Sequence, residues 1–399
     1  MGNERFEEIM ESYNYLIIGG GMTADAAVRG IRELDMTNTI GLISEEEYPP
    51  YDRPPLSKGL WFGKSLEKIW RKTEDEHISF HLNTRIGSID PEAHTIFDEN
   101  GKSFGYDKLL IATGGAPVRL NCSDEGVIYF RTLNDYYALR ALYDKGDEFV
   151  VIGAGYIGTE IAAALAMNGK RVTMIFKDTS INCNKYPKKL SLFLNAYFTE
   201  KGVRLMPKQT VTNVFKKGEK YQIQTSGGDV VLADGVIAGL GITPNTELAS
   251  KINLEMSNGI VVNDNLQTSH PDIFAAGDVA NFFNPLLEKR LRTEHEDAAN
   301  TMGKMAGKNM AGAGEKYTHL PYFYSDIFEL GYEAIGEINS ELQIVEDWHD
   351  LYRQGVLYYL HDNKVRGAML WGIWNQIETI RTLIASHEKV TPQSLVGKL

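Results

Sequence analysis

The 399-residue sequence contains little cysteine. Its two cysteines, Cys122 and Cys183, lie far apart and form no C-x-x-C pair. A disulfide framework and a metal site built on paired thiolates both need cysteines at close, regular spacing, so both are excluded. A redox dithiol made from neighbouring cysteines is excluded for the same reason, and no metal site is predicted.

Basic charge is also scarce. The chain has 41 lysines and arginines against 53 acidic residues, which gives a formal net charge of −12 at pH 7. Nucleic-acid-binding proteins normally carry a basic excess or a basic patch. A nucleic-acid partner is therefore not expected.

Long apolar runs are missing as well. No run approaches the roughly 20 residues that a membrane-spanning helix needs, so no membrane span is predicted. The opening 14 residues are acidic and lack the apolar core of a secretion signal, which makes a cytoplasmic location the expectation. With 43% apolar and 24% charged residues, the composition is that of a folded globular protein. Its length allows two or three domains.

Glycine, in contrast, is concentrated in two similar turns, "LIIGGGMTAD" at 16–25 and "VIGAGYIGTE" at 151–160. Each turn follows an apolar strand pattern and precedes a helical pattern and a second apolar strand, which predicts a βαβ unit. In that setting the G-x-G-x-x-[G/A] pattern binds the pyrophosphate of a dinucleotide at the start of the helix. The sequence therefore predicts two dinucleotide-binding units.

The first turn has small residues at all three fingerprint positions. The first glycine permits a tight turn, the second allows the backbone to approach a pyrophosphate, and the third small residue lets helix and strand pack closely. An acidic residue at the end of the second strand normally binds a ribose hydroxyl, and Glu45 has that place. The binding residues predicted for this turn are Gly19, Gly20, Gly21, Thr23 and Ala24.

The second turn fits the same pattern, with one difference at the end of its second strand. Phe176 occupies the place of the usual acid, and Lys177 and Asp178 follow it. Asp178 is placed to bind a ribose 2′-hydroxyl and favours NADH, whereas Lys177 would favour the 2′-phosphate of NADPH. NADH is preferred, and the choice stays open. The binding residues predicted for this turn are Gly153, Gly155, Tyr156, Ile157 and Gly158.

The rest of the chain alternates further strands with one long helix. Residues 95–117 predict an edge hairpin that leads into a buried strand, and "TEHEDAANTMGKMAGKNMAG" predicts a helix. From Pro321 onward the pattern becomes aromatic with a period of two, which predicts an α+β domain. Trp70, Trp371 and Trp374 are assigned to the core.

Several motifs carry a family resemblance. "YDRPPLSKGLW" at 51–61, "LLIATGG" at 109–115 and "IFAAGDVA" at 273–280 resemble the FAD-dependent pyridine nucleotide oxidoreductases of the ferredoxin-reductase superfamily. Within that superfamily, "RTEHEDAANTMGKMAGKNMAG" and "PYFYSDIFELGYEAIGE" are most similar to apoptosis-inducing factor and its prokaryotic relatives. The resemblance covers nearly the whole chain in the same order.

The resemblance implies an α/β, glutathione-reductase-like fold with two doubly wound nucleotide-binding domains and an α+β C-terminal domain. Residues 1–121 and 246–318 would bind FAD, residues 122–245 would bind NAD(P)H, and residues 319–399 would cover the flavin. The first glycine turn is thereby assigned to FAD and the second to the nicotinamide nucleotide.

Individual roles follow from the resemblance too. Those at FAD are Glu45 on the adenosine ribose, Arg53 and Lys58 around the diphosphate and isoalloxazine, Arg131 at a further contact, and Gly277 with Asp278 at the ribityl chain. Glu160 would pair with Lys58 beside the flavin, and His295 would lie at the flavin edge. Glu294 would lie beside the nicotinamide, and Glu333 would contact the nicotinamide nucleotide. Tyr324 takes the place of a tryptophan of animal relatives, and Gly241 in "GITPNTEL" is a further implied cofactor-binding residue. Lys58, Glu160 and His295 form the implied catalytic set. Tyr156 is expected to shield the flavin.

The implied reaction passes a hydride from NAD(P)H to FAD. Because no cysteine falls where disulfide reductases or coenzyme-A-linked relatives carry theirs, electrons should leave the flavin directly for an unidentified acceptor: a small iron–sulfur protein, a quinone or oxygen. Three hypotheses stay open. They are an NADH-oxidising enzyme of the apoptosis-inducing-factor type, a ferredoxin or rubredoxin reductase, and an NADH-responsive redox-sensing binding protein. The oligomeric state stays open, with a homodimer as the commonest symmetric assembly.

Overall fold

The structure is a computed structural model, and it describes residues 10–399. The acidic opening, on which the expectation of no secretion signal rests, lies outside the described residues up to position 9. No helix in the part from residue 10 onward combines the length and apolar character needed to cross a membrane.

The strands of the first half of the chain, in chain order, are β1 (Glu11–Ile18), β2 (Ile40–Ile43), β3 (Ser79–His81), β4 (Ile86–Asp90), β5 (Thr95–Asp98), β6 (Ser103–Ile111), β7 (Gly115–Pro117), β8 (Val127–Tyr129), β9 (Glu148–Ile152), β10 (Arg171–Phe176), β11 (Arg204–Pro207), β12 (Val211–Lys217) and β13 (Lys220–Thr225). Those of the second half are β14 (Val230–Ala233), β15 (Gly235–Ala238), β16 (Ile242–Pro244), β17 (Met256–Ser257), β18 (Gly259–Val261), β19 (Ile273–Ala275), β20 (Ala280–Asn284), β21 (Lys289–Leu291), β22 (Tyr322–Ile327), β23 (Leu330–Gly336), β24 (Gln343–Asp350), β25 (Gln354–His361) and β26 (Lys364–Trp371).

The helices are α1 (Met22–Arg32), α2 (Leu133–Tyr143), α3 (Tyr156–Met167), α4 (Lys188–Glu200), α5 (Glu247–Lys251), α6 (Glu296–Met310), α7 (Ile377–Ala385) and α8 (Pro392–Leu395). Short 3-10 turns occur at Pro54–Leu56, Gly59–Phe62, Leu66–Ile69, Thr73–Glu76 and Gly277–Val279.

The chain forms two compact units. The first contains Met1–Asp52, Ile69–Gly115 and Pro244–His319. Its main sheet has the strand order β3-β2-β1-β6-β5-β4, and β19 also pairs with β6. The strands β3, β2, β1, β6 and β19 run parallel, whereas β4 and β5 add antiparallel pairs. Chain order reverses between β1 and β6, which is the topology of a doubly wound dinucleotide-binding fold.

The core of this unit is built on the apolar end of β1. Leu16, Ile17 and Ile18 are each at most 5% exposed, as expected for a parallel strand that is covered on both faces. The α1 helix follows after three glycines and carries Asp25 in its first turn and basic residues in its last, which matches the helix dipole. The buried strand therefore holds the glycine turn at the carboxyl end of the parallel strands.

The second unit contains Arg53–Lys68, Ala116–Thr243 and Leu320–Leu399. Its parallel sheet has the order β11-β10-β9-β15-β8, and a separate antiparallel sheet has the order β12-β13-β14. The strand β9 ends in the buried residues Val150, Val151 and Ile152 and leads through a glycine turn into α3. This unit repeats the βαβ arrangement that the sequence predicts.

The same unit contains the antiparallel sheet β22-β23-β26-β25-β24. Tyr332 and Trp371 lie on neighbouring strands of this sheet, are fully buried, and stack with ring centroids 5.3 Å apart. The helix α7 follows the sheet and buries Ile377, Ile380 and Ile384. The α+β segment predicted from Pro321 is confirmed.

Compact units and domains are different divisions of a chain. The second unit holds both the predicted nicotinamide-nucleotide domain and the C-terminal segment, together with Arg53–Lys68. The predicted boundaries at 121, 245 and 318 stay a prediction.

Two local expectations were wrong. The strands β5 and β6 form the predicted antiparallel hairpin, but the hairpin is not the sheet edge, because β4 pairs with the outer side of β5. Trp374 is 44% exposed rather than buried, since it lies in the turn after β26, whereas Trp371 at the end of that strand is buried.

Candidate functional site

The first glycine turn leaves β1 at Ile18 and enters α1 at Met22. Gly19 has φ of +126°, and a methyl group there would lie 2.2 Å from the carbonyl oxygen of Ala112, so only glycine fits. Gly21, the N-cap of α1, has ordinary extended backbone and no described atom within 4 Å of where a β-carbon would be. The backbone of the turn thus passes close to Ala112 and leaves open space at the helix N-terminus, as a bound pyrophosphate requires.

The predicted ribose-binding acid follows β2. The side chain of Glu45 is 66% exposed, and its oxygen lies 3.9 Å from Nε of Arg85, which is a weak surface pair. The preceding residue, Ser44, lies beside Gly20, where a β-carbon would come within 2.3 Å of the serine Oγ. Ser44 was not predicted, although it adjoins Glu45 in the sequence.

The "AAGD" motif meets the first turn inside this unit. Gly277 has φ of +78°, and a methyl group there would lie 2.3 Å from Oγ1 of Thr23. Asp278 follows in the 3-10 turn, and its carbonyl oxygen accepts a 3.1 Å bond from Nη1 of Arg292. The structure therefore brings together Thr23 and Gly277, which are remote in sequence.

The start of α6 carries the predicted pair of Glu294 and His295. Nη2 of Arg292 forms a 2.7 Å ion pair with Glu294, and His295 is the N-cap of the helix without capping it through its side chain. Arg292 contacts both Asp278 and Glu294, so it links two predicted site segments. Arg292 begins the motif "RTEHED", but the motif alone predicts no role for it.

The second glycine turn has the same construction inside the second unit. Gly153 has φ of +104°, and a methyl group there would lie 2.4 Å from the carbonyl oxygen of Gly239. At Gly158 a methyl group would lie 2.3 Å from the carbonyl oxygen of Gly153. Gly155, the N-cap of α3, faces open space within the described part of the chain, and Ile157 is 39% exposed beside it. Gly241 also has a positive φ, of +90°.

The residues that follow β10 lie on the surface. Phe176 is only 3% exposed and ends the strand, whereas Lys177 and Asp178 are both exposed. The carbonyl oxygen of Asp178 accepts a 3.0 Å bond from the backbone N–H of Lys208, which fixes the turn. Both side chains are accessible to a nucleotide ribose.

A buried ion pair occupies the predicted position in the second unit. Nζ of Lys58 lies 2.8 Å from Oε1 of Glu160, and the two side chains are 16% and 4% exposed. The hydroxyls of Ser57 and Ser325 also donate to the Glu160 carboxylate, at 2.7 and 2.6 Å. The aromatic ring of Tyr324 lies with its centroid 5.0 Å from Nζ of Lys58. The ammonium therefore faces a carboxylate and an aromatic ring.

The C-terminal sheet brings two further predicted residues together. Tyr324 on β22 lies directly opposite Glu333 on β23. The carboxylate of Glu333 accepts a 3.0 Å bond from the backbone N–H of Asn375, and burial raises the pKa of this carboxyl group above its ordinary value. The ring of Tyr156 packs on Phe323, with centroids 5.1 Å apart, and burial raises the pKa of Tyr156.

Arg53 and Arg131 also meet, because Nη1 of Arg53 donates a 3.0 Å bond to the carbonyl oxygen of Arg131. The predicted residues thus fall into two sets. The set in the first unit is Gly19, Gly20, Gly21, Thr23, Ala24, Glu45, Gly277, Asp278, Glu294 and His295. The set in the second unit is Arg53, Lys58, Arg131, Gly153, Gly155, Tyr156, Ile157, Gly158, Glu160, Lys177, Asp178, Gly241, Tyr324 and Glu333.

Ser57, Ser325 and Phe323 are contacts that sequence reasoning missed. Ser57 and Ser325 lie in the quoted motifs "PPLSK" and "YFYSD", but nothing in their spacing pairs them with Glu160. The separations along the chain are 103 and 165 residues, so only the fold reveals these bonds.

Two glycine turns of this construction, each at the end of a parallel strand, define a protein that binds two dinucleotides. The family described as pyridine nucleotide-disulphide oxidoreductase matches residues 13–303, and the apoptosis-inducing factor, mitochondrion-associated, C-terminal family matches residues 306–351. The chain belongs to the pyridine nucleotide-disulphide oxidoreductase family.

Three relatives illustrate the range of this similarity. The putative apoptosis-inducing factor 1, mitochondrial, of Drosophila melanogaster is 29% identical over 98% of this chain, which spans 66% of that relative. The ferredoxin–NAD(+) reductase component of the anthranilate 1,2-dioxygenase system of Burkholderia cepacia is 30% identical, with 97% of each chain covered. The crystal structure of the covalent putidaredoxin reductase–putidaredoxin complex matches with a TM-score of 0.90 at 27% identity, covering 97% of this chain and 96% of that one.

The protein is an FAD-dependent NAD(P)H oxidoreductase with a glutathione-reductase-like fold, so the predicted fold class, enzyme class and cofactors are confirmed. The residues present suit both cofactors, because Gly21 and Gly155 each leave room at a helix N-terminus for a pyrophosphate. Which residues bind each cofactor stays a prediction.

Proposed function

We propose that this enzyme oxidises NADH and passes electrons from its reduced FAD directly to an acceptor, in the manner of apoptosis-inducing factor. The observation that carries the proposal is the buried pair of Lys58 and Glu160 with Tyr324 beside it. It puts a fixed charge pair and an aromatic surface, rather than a thiol, among the residues assigned to hydride transfer.

The chemistry of the two cysteines supports a route without a thiol. Cys122 and Cys183 are free thiols. Burial, with the nearby charge of Asp124, raises the pKa of Cys122 above its ordinary value. A raised pKa disfavours the thiolate, which is the reactive form of cysteine.

In this proposal the first unit binds FAD. The N-terminus of α1 takes the diphosphate, Glu45 takes the adenosine ribose, and Asp278 takes the ribityl chain. His295 and Glu294, at the start of α6, border the flavin ring. Arg53 and Arg131 keep the role of FAD contacts that the family resemblance implies for them.

The second unit then binds the nicotinamide nucleotide through the N-terminus of α3. FAD, when bound, supplies the hydride acceptor and releases the electrons to the next carrier. The protein's part is to position the reactants and to hold charge in place, so no side chain acts as a nucleophile. Lys58 holds a positive charge, Tyr324 and Glu333 orient the nicotinamide, and Tyr156 shields the site when it is empty.

We propose NADH as the preferred reductant. The exposed carboxylate of Asp178, two residues after buried Phe176, is suited to a ribose 2′-hydroxyl and would repel a 2′-phosphate. Lys177 would instead attract a 2′-phosphate, so the preference for NADH over NADPH should be measurable but not absolute.

A ferredoxin-type acceptor is the second candidate, and one observation favours it. The chain is 30% identical to the Burkholderia cepacia ferredoxin–NAD(+) reductase component and matches the putidaredoxin reductase structure with a TM-score of 0.90. Against it stands the net charge of −12, because an acidic carrier would be repelled unless a local basic patch steers it.

A third candidate is a redox-sensing binding protein, supported by the match of residues 306–351 to the apoptosis-inducing-factor C-terminal family. Here reduction by NADH would alter assembly rather than feed an acceptor. We also propose a homodimer, which size-exclusion chromatography of the purified protein tests. A cytoplasmic location is a further proposal, which cell fractionation tests. A quinone or oxygen is proposed as an alternative acceptor.

The decisive experiment is an anaerobic titration of the FAD-loaded protein with NADH and, separately, with NADPH. Bleaching of the flavin absorbance by NADH at lower concentration than by NADPH supports the proposal; no bleaching by either nucleotide refutes it. A persistent absorbance beyond the flavin band with slow reoxidation in air favours the apoptosis-inducing-factor type. Fast, salt-dependent reduction of added ferredoxin favours the reductase, and a changed elution volume favours the sensor.

A further inference from the structure

The carboxylate of Glu160 is bound from three directions. Oε1 accepts the hydroxyl of Ser325 at 2.6 Å and lies 2.8 Å from Nζ of Lys58, while Oε2 accepts the hydroxyl of Ser57 at 2.7 Å. Ser57, Ser325 and Glu160 are 4%, 1% and 4% exposed. Water therefore has little access to these bonds, and each hydroxyl depends on the carboxylate for its hydrogen bond.

The two serines come from different segments. Ser57 lies between the 3-10 turn Pro54–Leu56 and Lys58, and Ser325 lies in the middle of β22. The oxygen of Pro54 lies 3.5 Å from Oγ of Ser57, a distance at which a hydrogen bond is weak, so the hydroxyl hydrogen of Ser57 belongs to Glu160. The carboxylate of Glu160 is thus the point at which α3, β22 and the Lys58 turn are joined.

Hydrogen bonds from neutral donors stabilise a carboxylate in its charged form. Two hydroxyls offset part of the desolvation of Glu160 and turn one of its oxygens away from Lys58. Without them the carboxylate would turn more fully onto the ammonium and neutralise more of its field. The serines therefore set how much positive potential Lys58 projects toward its surroundings.

The Ser325 bond is also part of the contact between α3 and β22. Tyr156 and Glu160 are four residues apart on α3 and share one helix face, while Phe323 and Ser325 are two residues apart on β22 and share one strand face. The ring of Tyr156 packs on that of Phe323, with centroids 5.1 Å apart, and the hydroxyl of Ser325 donates a hydrogen bond to Glu160. This contact extends from the glycine turn assigned to the nucleotide to the ion pair of Lys58 and Glu160.

We propose that Ser57 and Ser325 are positioning residues for hydride transfer: they hold Glu160 so that the ammonium of Lys58 keeps its place and its effective charge beside the flavin. This inference rests on the proposed function, in which Lys58 lies at the isoalloxazine. A positive charge there stabilises the reduced flavin, so the two serines raise the reduction potential of bound FAD.

The test uses the FAD-loaded full-length protein with Ser325→Ala and Ser57→Ala. The midpoint potential is measured by slow reduction with xanthine and xanthine oxidase against a reference dye, without any nicotinamide nucleotide. We expect each variant to be about 30 mV more negative than the wild type, which is about tenfold in the two-electron equilibrium. Ser325→Cys keeps the side-chain volume but donates weakly, so it should follow Ser325→Ala and not the wild type.

Ser191→Ala is the matched control. Ser191 is fully buried in α4, and its Oγ has no hydrogen-bond partner within residues 10–399, so its loss removes a buried hydroxyl without touching Glu160. Its potential should equal that of the wild type. Equal potentials for Ser191→Ala, Ser325→Ala and Ser57→Ala would overturn the inference.

A double-substitution cycle shows whether Ser325 acts through Glu160. In a Glu160→Gln background there is no carboxylate charge to hold, so Ser325→Ala should produce little further shift. An equal shift in both backgrounds would mean that the serine acts on the flavin by another route and would overturn the proposal. Failure of NADH to reduce the wild-type protein would instead refute the proposed function, and the potentials would distinguish the two cases.

Discussion

Gly155→Ala should separate the stability of the second unit from its ability to bind the nicotinamide nucleotide. Gly155 has φ of −83° and ψ of −168°, a conformation open to any residue, and no described atom lies within 4 Å of the added methyl group. Because alanine has fewer unfolded conformations than glycine, the free energy of unfolding should rise by about 0.4–1 kcal/mol. The substitution is therefore expected to stabilise the protein.

Binding should change in the opposite direction. The methyl group would enter the open space at the N-terminus of α3, where backbone N–H groups are expected to meet the pyrophosphate. Losing one hydrogen bond to a charged group costs about 1.5–3 kcal/mol, so the dissociation constant of NADH should rise by about 10- to 100-fold. FAD should be retained, since its own glycine turn lies in the first unit.

The assay is stopped-flow reduction of the flavin as a function of NADH concentration, combined with urea unfolding of the same samples. Gly153→Ala is the informative control, because its φ of +104° and the carbonyl oxygen of Gly239 at 2.4 Å forbid a methyl group. That variant should lose stability as well as binding. A Gly155→Ala protein that is more stable and still reduced at the wild-type NADH concentration would refute the assignment of this turn.

Other substitutions test the remaining charges. Lys58→Met leaves the buried carboxylate of Glu160 without its cation, so the free energy of unfolding in urea should fall by about 3 kcal/mol, and adding Glu160→Gln should recover most of it. Asp178→Ala should lower the ratio of kcat/KM for NADH to that for NADPH about tenfold, and an unchanged ratio would contradict the NADH preference. The hydrogen bond from Lys201, assisted by a second from a tyrosine, lowers the pKa of Glu329 from about 4.5 to about 2. A carboxyl group whose pKa is lower in the folded state stabilises the fold at any pH above its unfolded-state pKa, and this stabilisation is lost as the pH falls through the folded-state pKa. In acid unfolding, Glu329→Gln should therefore be less stable than the wild type at pH 6 and equal to it near pH 2.

The parts of the fold that the sequence could predict are those specified by neighbouring residues. The glycine turns, the helix starts at Met22 and Tyr156, and the change of pattern at Pro321 are all short-range signals, and the structure has each of them. Short-range reasoning also explains the two errors. Which strand covers the outer side of β5 and whether Trp374 meets the core depend on partners far along the chain, and no local pattern encodes them.

The pair of Lys58 and Glu160 was available from the sequence only through a family resemblance, because 102 positions separate the two residues and neither shows a distinctive spacing. The serines that bind Glu160 had no such support. A buried serine and an exposed serine look alike in a sequence, and burial in this case is decided by the packing of α3 on β22.

The position of Tyr324 depends on the register between β22 and β23, which the alternation of residues in the sequence does not specify. The alternation in "PYFYSD" predicts a strand and places Phe323 and Ser325 on one face with Tyr324 on the other. Only the antiparallel register sets Tyr324 opposite Glu333, and only the fold of the 3-10 turns brings Lys58 over the tyrosine ring. A one-residue slip of β22 would exchange its faces, removing Ser325 from Glu160 and Tyr324 from Lys58 together. The hydrogen bond of Ser325 and the aromatic contact of Lys58 are therefore two results of one register, and any substitution that weakens the pairing of β22 with β23 should disturb both.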